Sequence, residues 1–201
     1  MGYDISREET LKIIHIKGEA RGAVFKTDRS FILKKGGEKK LKEVERELEE
    51  MGYPLLYDDV ETMNFYPFGV RVLSLLAIAK VFNLDSEGVR EVGAMAPKSS
   101  VLIRVFTKYF LSVGETLKKV GEIWGKHSTI GKAEAQEVNE KEGYAIFHFS
   151  DFKFHPIYCD YLCGYLSGII TMTVSKEVSV EETKCSFREG EIHEFKATWK
   201  A

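Results

Sequence analysis

A chain of 201 residues with 44% hydrophobic side chains is long enough to bury a full core, and it predicts one domain. Its 29 basic and 31 acidic residues give a net charge of −2 at pH 7, so no overall field attracts nucleic acid or an anionic membrane. Polyanion binding is therefore excluded as the main activity.

The cellular location is predicted from the N-terminus, the apolar runs and the cysteines. The segment MGYDISREET carries charges where a signal peptide needs an apolar run. The longest apolar runs, at residues 70–84 and 161–174, are too short to cross a bilayer. Three cysteines cannot all pair with one another, and unpaired thiols are typical of a reducing compartment. We therefore expect a cytoplasmic protein that does not enter a membrane.

The first two thirds of the chain are predicted to be mainly helical. Apolar residues at helical spacing predict one helix from Gly22 to the pair at 36–37 and an amphipathic helix over residues 38–51. A tyrosine-rich loop follows at 53–67. The next predicted helices cover residues 68–83, 86–95, 98–113 and 114–127.

Aromatic side chains on the last two of these helices are candidates for the wall of a ligand pocket. Pockets for flat hydrophobic molecules are mostly apolar, with few polar groups. Aromatic residues at helical spacing are also typical of an ordinary core, so both interpretations stay open. The candidate ligand-binding residues are Phe106, Tyr109, Phe110 and Trp124.

From residue 131 onward the period changes from helical to alternating. The run KAEAQEVNEKEGYAIFHFSDF predicts an antiparallel hairpin. A buried helix is predicted over about 156–173, and its small residues at 164, 167 and 168 allow close packing. A second hairpin follows, with a three-residue loop at 188–190. The predicted fold class is α+β, with several helices on one side of a small antiparallel sheet and the C-terminal hairpin tied to the buried helix.

The C-terminal hairpin contains residue types that bind transition metals. The loop at 188–190 suits a turn with Gly190 at a positive φ, and this turn predicts that Cys185 lies opposite His193. Opposed residues have Cβ atoms about 4.5–5.5 Å apart, so a thiolate and an imidazole can share one ion. Cys159, near the start of the preceding helix, is a third candidate ligand.

Two residues are candidates for the fourth ligand. Glu182 is close in sequence to Cys185, but residues three apart face opposite sides of a regular strand, so Glu182 joins only if the strand bulges. Cys163, one helical turn after Cys159, is the competing donor. A set of four sulfur, nitrogen and oxygen ligands is typical of structural zinc. The alternative is that the cysteines and His193 are ordinary core residues.

The end of the chain resembles a known family. The motif Cys-x3-Cys-Gly-Tyr-x-Ser-Gly, followed by Glu-x2-Cys-x7-His and a final Trp, is similar to the 4-vinyl-reductase-like domain, which also serves as the sensor of phenol- and xylene-responsive transcriptional activators. In that family a Cys, Glu, Cys, Cys set binds zinc beside a hydrophobic pocket. The resemblance implies zinc at Cys159, Glu182, Cys185 and His193, where His193 replaces the usual cysteine.

The earlier segments KGEARGAVF and NFYPFGVRVL resemble the wider nitric-oxide-signalling and Golgi-transport (TRAPP-like) fold. Members of that fold often dimerise, which implies a homodimer. No position matches the proximal histidine of its haem branch.

Together these features predict a binding or sensor protein for a hydrophobic or aromatic small molecule, with structural zinc. One domain is expected over residues 1–201, with a helical extension at about 1–65 and a ligand-binding core at about 66–201. The alternatives are an enzyme or carrier acting on a tetrapyrrole, as the vinyl-reductase resemblance implies, and a dimerising adaptor without a ligand. No GxGxxG motif follows a strand, so no site for a hydride donor is expected.

Overall fold

The computed structural model describes residues 3, 5–100, 103, 113–173, 177–188 and 190–200. These residues form helices and two antiparallel sheets, which confirms the predicted α+β class. The helices are α1 (Arg7–Ile14), α2 (Ala23–Glu50), α3 (Phe68–Phe82), α4 (Ser86–Ser99), α5 (Val113–Lys118), α6 (Val120–His127) and α7 (Ile157–Thr173). The strands are β1 (Glu19–Arg21), β2 (Phe65–Pro67), β3 (Lys132–Asn139), β4 (Tyr144–Ser150), β5 (Val178–Lys184) and β6 (His193–Trp199).

The larger sheet has the strand order β3-β4-β6-β5, with every neighbouring pair antiparallel. Alternate side chains of β4 and β6 are buried, as the two-residue period requires when one face of a sheet is covered. The inward residues of β6 are His193, Phe195, Ala197 and Trp199. This face packs towards the helices, so His193 points into the protein.

The C-terminal hairpin keeps the predicted register next to its loop and departs from it further along the strands. Strand β5 ends at Lys184, which pairs with Glu194, and the same register places Cys185 opposite His193 just beyond the end of the paired strand. The register shifts between Glu182 and Lys184, and the chain then turns through residues 185–188. Glu182 pairs with Phe195, one residue off the predicted register, because an irregularity in one strand offsets every pair beyond it.

Several predicted helix boundaries also change. The predicted stop at residues 36–37 is a kink inside one long helix, where Gly37 has φ 66° and ψ −168°. Pro97 lies in the last turn of α4 and does not begin a new helix. Most of the helix predicted over 98–113 lies outside the described residues. The helix predicted over 114–127 is two helices, because Lys119 leaves the helical conformation at φ −91° and ψ 5°.

Helices α4 and α7 pack so closely that their backbones touch. A Cβ atom added at Gly164 would lie 1.9 Å from the carbonyl oxygen of Arg90, and one added at Gly93 would lie 2.1 Å from the carbonyl oxygen of Tyr161. Real Cβ atoms do not approach other atoms this closely. Glycine is therefore required on both sides of this contact.

A buried ion pair lies among the helices. Arg71 on α3 and Asp28 on α2 are both enclosed, and Arg71 Nη1 donates a hydrogen bond to Asp28 Oδ2. Ser74 Oγ donates to the same carboxylate oxygen at 2.8 Å, and the guanidinium lies over the Tyr161 ring at 4.8 Å. An arginine does not lose its proton in a protein, so the carboxylate beside it compensates a permanent buried charge.

No helix among the described residues is long and apolar enough to span a membrane.

The contact between α4 and α7 predicts opposite effects for two glycine substitutions. Gly164→Ala forces a methyl group against the α4 backbone, so we expect the free energy of unfolding to fall by about 2 kcal/mol or more. Gly125→Ala adds the same atoms to α6 where nothing lies within 4 Å, so stability is expected to stay the same or to rise by up to about 1 kcal/mol. Urea unfolding of both variants measures the difference, and an unchanged Gly164→Ala protein would show that the helices do not approach this closely.

Candidate ligand cavity and candidate metal centre

Four side chains that can bind a metal converge where the start of α7 meets the end of the β5–β6 hairpin. They are Cys159, Glu182, Cys185 and His193, and one donor atom from each lies within 4.8 Å of all the others. Helix α7 supplies Cys159, strand β5 supplies Glu182, the following turn supplies Cys185, and the first residue of β6 is His193. The group therefore joins three elements that are far apart in sequence.

Hydrogen bonds fix the orientation of the His193 ring. Nε2 lies 2.8 Å from the carbonyl oxygen of Phe152 and 2.7 Å from Ser186 Oγ. A carbonyl oxygen only accepts, so Nε2 carries a proton and donates it to Phe152. Nδ1 then faces Glu182 Oε1 at 2.7 Å and Cys159 Sγ at 3.6 Å. An outer partner that holds the second ring nitrogen is typical of a histidine that binds metal through the first.

The distances within the group are close to those around a tetrahedral ion. A transition metal with bonds of about 2.0–2.3 Å separates its donors by about 3.3–3.8 Å. Cys159 Sγ lies 4.0 Å from Cys185 Sγ, and the Cys159–His193 distance of 3.6 Å falls inside that range. The 2.7 Å distance from His193 to Glu182 is that of a hydrogen bond, so these two atoms must separate slightly to admit an ion.

Within the group, the pKa of the Glu182 carboxyl and the pKa of the Cys159 thiol shift in opposite directions. Burial raises the pKa of Cys159, and the nearby Glu182 raises it further. Burial also acts to raise the pKa of Glu182, but hydrogen bonds from His193 and Cys159 outweigh it, so the net pKa of Glu182 is lowered. Without a cation, this pocket keeps Glu182 charged and Cys159 protonated.

The irregularity in β5 is what brings Glu182 into the group. The register shift between Glu182 and Lys184 is the kind of distortion that the sequence analysis required for this residue. The competing donor, Cys163, is buried one turn further along α7, and it is not one of the four converging side chains. Burial raises the pKa of Cys163 to about 12, which keeps it a thiol.

A separate apolar cavity lies between the helices and the sheet. Its volume is about 60 Å³. Residues from α2, α4, α6, α7 and β4 contribute to its wall, which includes Ala23, Ala96, Val120, Trp124, His127, Phe149, Tyr158, Leu162 and Tyr165. Trp124 and Phe149 meet edge to face at 5.3 Å, which gives the wall a rigid aromatic corner.

The predicted pocket residues have different outcomes. Trp124 lines this cavity. Phe106, Tyr109 and Phe110 lie outside the described residues. The sequence analysis missed His127, although this residue is three positions after Trp124 and four after Ile123, a spacing that places all three on one side of a helix. Tyr158, Leu162 and Tyr165 on α7 also line the cavity and were not predicted as pocket residues.

The fold is similar to that of H-NOX domains. An H-NOX protein from S. oneidensis in the Fe(II)NO state has 13% sequence identity and a TM-score of 0.67, and the match covers 90% of this chain and 99% of that one. An oxygen-binding H-NOX domain related to soluble guanylate cyclases has 16% identity and a TM-score of 0.61, with 90% and 93% covered. A structure from a study of heme distortion in the H-NOX family has 16% identity and a TM-score of 0.60, with 90% and 95% covered.

No protein-family model matches the sequence, and no curated protein matches it. The structural likeness shows that this chain has the H-NOX fold.

These comparisons correct the expected family and the expected cofactor. The similar structures are H-NOX domains, so the resemblance to the 4-vinyl-reductase-like domain and to the TRAPP-like fold was wrong. The prediction of zinc as the cofactor was also wrong. The descriptions of the structures that share the fold mention heme or Fe(II), and this chain shows only a group of donor side chains. The motif misled because Gly164 and Gly168 are explained by close packing against α4, which many helix pairs require.

A haem does not fit the residues that the structure describes. The cavity of about 60 Å³ is far smaller than the roughly 300–1,000 Å³ typical of pockets for drug-sized ligands. Haem iron also needs an axial ligand such as histidine. The chain has five histidines, and only His127 lines the cavity; the others are His15, His148, His155 and His193. The described residues therefore do not support haem as a ligand of this chain.

His127 is a titratable group in the cavity wall whose pKa is lowered. Burial lowers its pKa from 6.5 to about 4, and the charges of Arg21 and Lys126 lower it further. The imidazole is therefore neutral at pH 7. The unfolded chain takes up a proton at this residue below about pH 6.5, whereas the folded protein does so only near pH 4, so acid favours unfolding in this window.

This shift predicts a pH-dependent contribution to stability. Between pH 7 and pH 4, His127 is expected to lower the free energy of unfolding by about 2–3 kcal/mol, and above pH 7 it contributes no pH dependence. His127→Leu removes this contribution, so the difference in stability between the variant and the wild type should change by that amount over the window. Urea unfolding at several pH values measures it. Parallel pH profiles for the two proteins would contradict the lowered pKa.

Proposed function

We propose that this chain is a small-molecule-binding sensor domain that holds its ligand directly in the apolar cavity. The supporting observation is the cavity itself, which has a volume of about 60 Å³ inside a wall of apolar and aromatic side chains. Small apolar cavities in proteins accept apolar guests. The H-NOX fold supports this proposal, because a protein that shares it is described as an oxygen-binding domain.

The composition of the wall supports one binding domain over residues 1–201. Ala23 and Thr27 on α2 belong to the predicted N-terminal extension, and both line the cavity. Tyr158 and Leu162 on α7 belong to the predicted core and line the same cavity. A ligand in this position contacts both parts of the chain, so binding stabilises their association by mass action.

Xenon tests whether the cavity accepts a guest. Crystals pressurised with xenon are expected to show a xenon atom beside Trp124, because small apolar cavities bind this gas. Ala96→Leu fills part of the cavity, so xenon binding should be lost while the fold persists. Gly125→Ala is the matched control, since it adds a methyl group at a position with open space around it, and it should retain xenon. Wild-type crystals without xenon at this position would contradict the proposal.

We further propose that Cys159, Glu182, Cys185 and His193 bind one transition-metal ion. Two thiols, an imidazole and a carboxylate favour a soft or borderline divalent metal over calcium or magnesium. All four donors come from the protein and close around one point, which favours a structural role. The ion would tie the start of α7 to the end of the hairpin, where no disulfide is present among the described residues.

Two cysteine substitutions distinguish a cysteine that binds the metal from a buried cysteine that does not. Cys185→Ser removes a donor, so we expect the protein to lose most of a bound metal that is otherwise close to one equivalent per chain. Its melting temperature should fall as well. Cys163→Ser alters a buried thiol outside the group and should retain the metal. Elemental mass spectrometry for all transition metals measures both. Metal-free wild-type protein, or equal losses in the two variants, would contradict the site.

The predicted homodimer stays a prediction, because the structure describes one chain. Native mass spectrometry of the purified protein measures its oligomeric state and also detects a small molecule that is carried through purification.

A further inference from the structure

Several polar side chains in the cavity wall form hydrogen bonds inside the protein. Among the enclosed side-chain nitrogen and oxygen atoms of the described wall residues, only Nδ1 of His127 has no hydrogen-bond partner. The satisfied groups are Trp124 Nε1, which donates to the Ile130 carbonyl at 2.9 Å, Thr27 Oγ1, which donates to the Val24 carbonyl at 2.7 Å, and Ser128 Oγ, which donates to the Ile130 carbonyl at 2.7 Å.

An unsatisfied nitrogen in such a wall requires a physical explanation. Enclosed polar atoms in native proteins nearly always have a partner, because leaving one unpaired costs free energy. His127 lies in the last turn of α6 and lines the cavity beside Trp124. Burial holds its pKa near 4, so the ring is neutral at pH 7. With its single proton on Nε2, the form that free histidine favours, the ring presents a lone pair at Nδ1.

We propose that His127 anchors the ligand by accepting one hydrogen bond at Nδ1 from a small neutral molecule with an apolar body and a single N–H or O–H donor. This inference rests on the proposed function, because it assigns the class of ligand to the same cavity.

Three properties of the site select this class of ligand. The wall is mostly apolar and aromatic, so a charged molecule would lose its hydration without compensation. Arg21 and Lys126 lie near His127 and disfavour a cation further. The volume of about 60 Å³ limits the guest to a few heavy atoms. The unpaired acceptor at His127 Nδ1 matches a ligand with one N–H or O–H donor.

Pyrrole and furan test this inference because they are flat neutral rings of nearly the same size. Pyrrole has an N–H donor and furan has none. Isothermal titration of the wild-type protein should show that pyrrole binds about 3- to 10-fold more tightly than furan, the range expected for one hydrogen bond. His127→Leu should abolish this preference while furan affinity is retained. His127→Asn should restore part of the preference, because its side-chain oxygen lies near the position of Nδ1.

The outcomes distinguish this inference from the proposed function. Equal affinities for the two rings, or a preference for furan, would overturn the role of His127 and leave the cavity as a binding site. If neither ring binds and crystals take up no xenon, both the inference and the proposed function are wrong. If His127→Leu does not fold, the comparison of pyrrole with furan on the wild-type protein still decides, because it requires no variant.

Discussion

Helix α7 approaches α4 to backbone contact, and both candidate sites depend on that approach. Gly93 and Gly164 permit the contact, because a side chain at either position would overlap the opposite backbone. One side of α7 is therefore committed to α4. The remaining sides carry the residues of interest: Tyr158 and Leu162 face the cavity, and Cys159 faces the hairpin. Helix α7 thus contributes to two separate sites. Its glycines let the side that faces α4 pack in backbone contact, and its other sides carry the residues of the two sites.

The sheet supplies the opposite wall of both sites through one buried face. Phe149 on β4 reaches the cavity, and His193 on β6 reaches the four converging donors. Their directions follow from the alternation of side chains along a strand. Glu182 reaches the same donors only because β5 departs from that alternation. Regular geometry therefore places the histidine, and a local distortion of the neighbouring strand places the carboxylate.

Much of this architecture could be predicted from local sequence patterns. The α+β class is confirmed, and the helix predicted over 156–173 is observed over Ile157–Thr173, because a long apolar run with helical spacing is a strong signal. The register counted outward from the loop holds at Lys184 and Glu194, but the shift between Glu182 and Lys184 could not be located, because no residue type marks an irregularity in a strand. His127 was missed for a related reason: its significance lies in the absence of a hydrogen-bond partner, which depends on neighbours that are distant in sequence.

Phe152 links the two sites through two different parts of one residue. Its carbonyl oxygen accepts the hydrogen bond that orients His193, and its ring packs edge to face against Trp124 at 5.6 Å and Tyr158 at 5.3 Å. A displacement of His193 therefore acts on the aromatic side chains behind the cavity. Residues that share a partner in this way have coupled energies. The effects of substitutions at His193 and Trp124 should consequently not add, and a double-mutant cycle through these positions would give the size of the coupling.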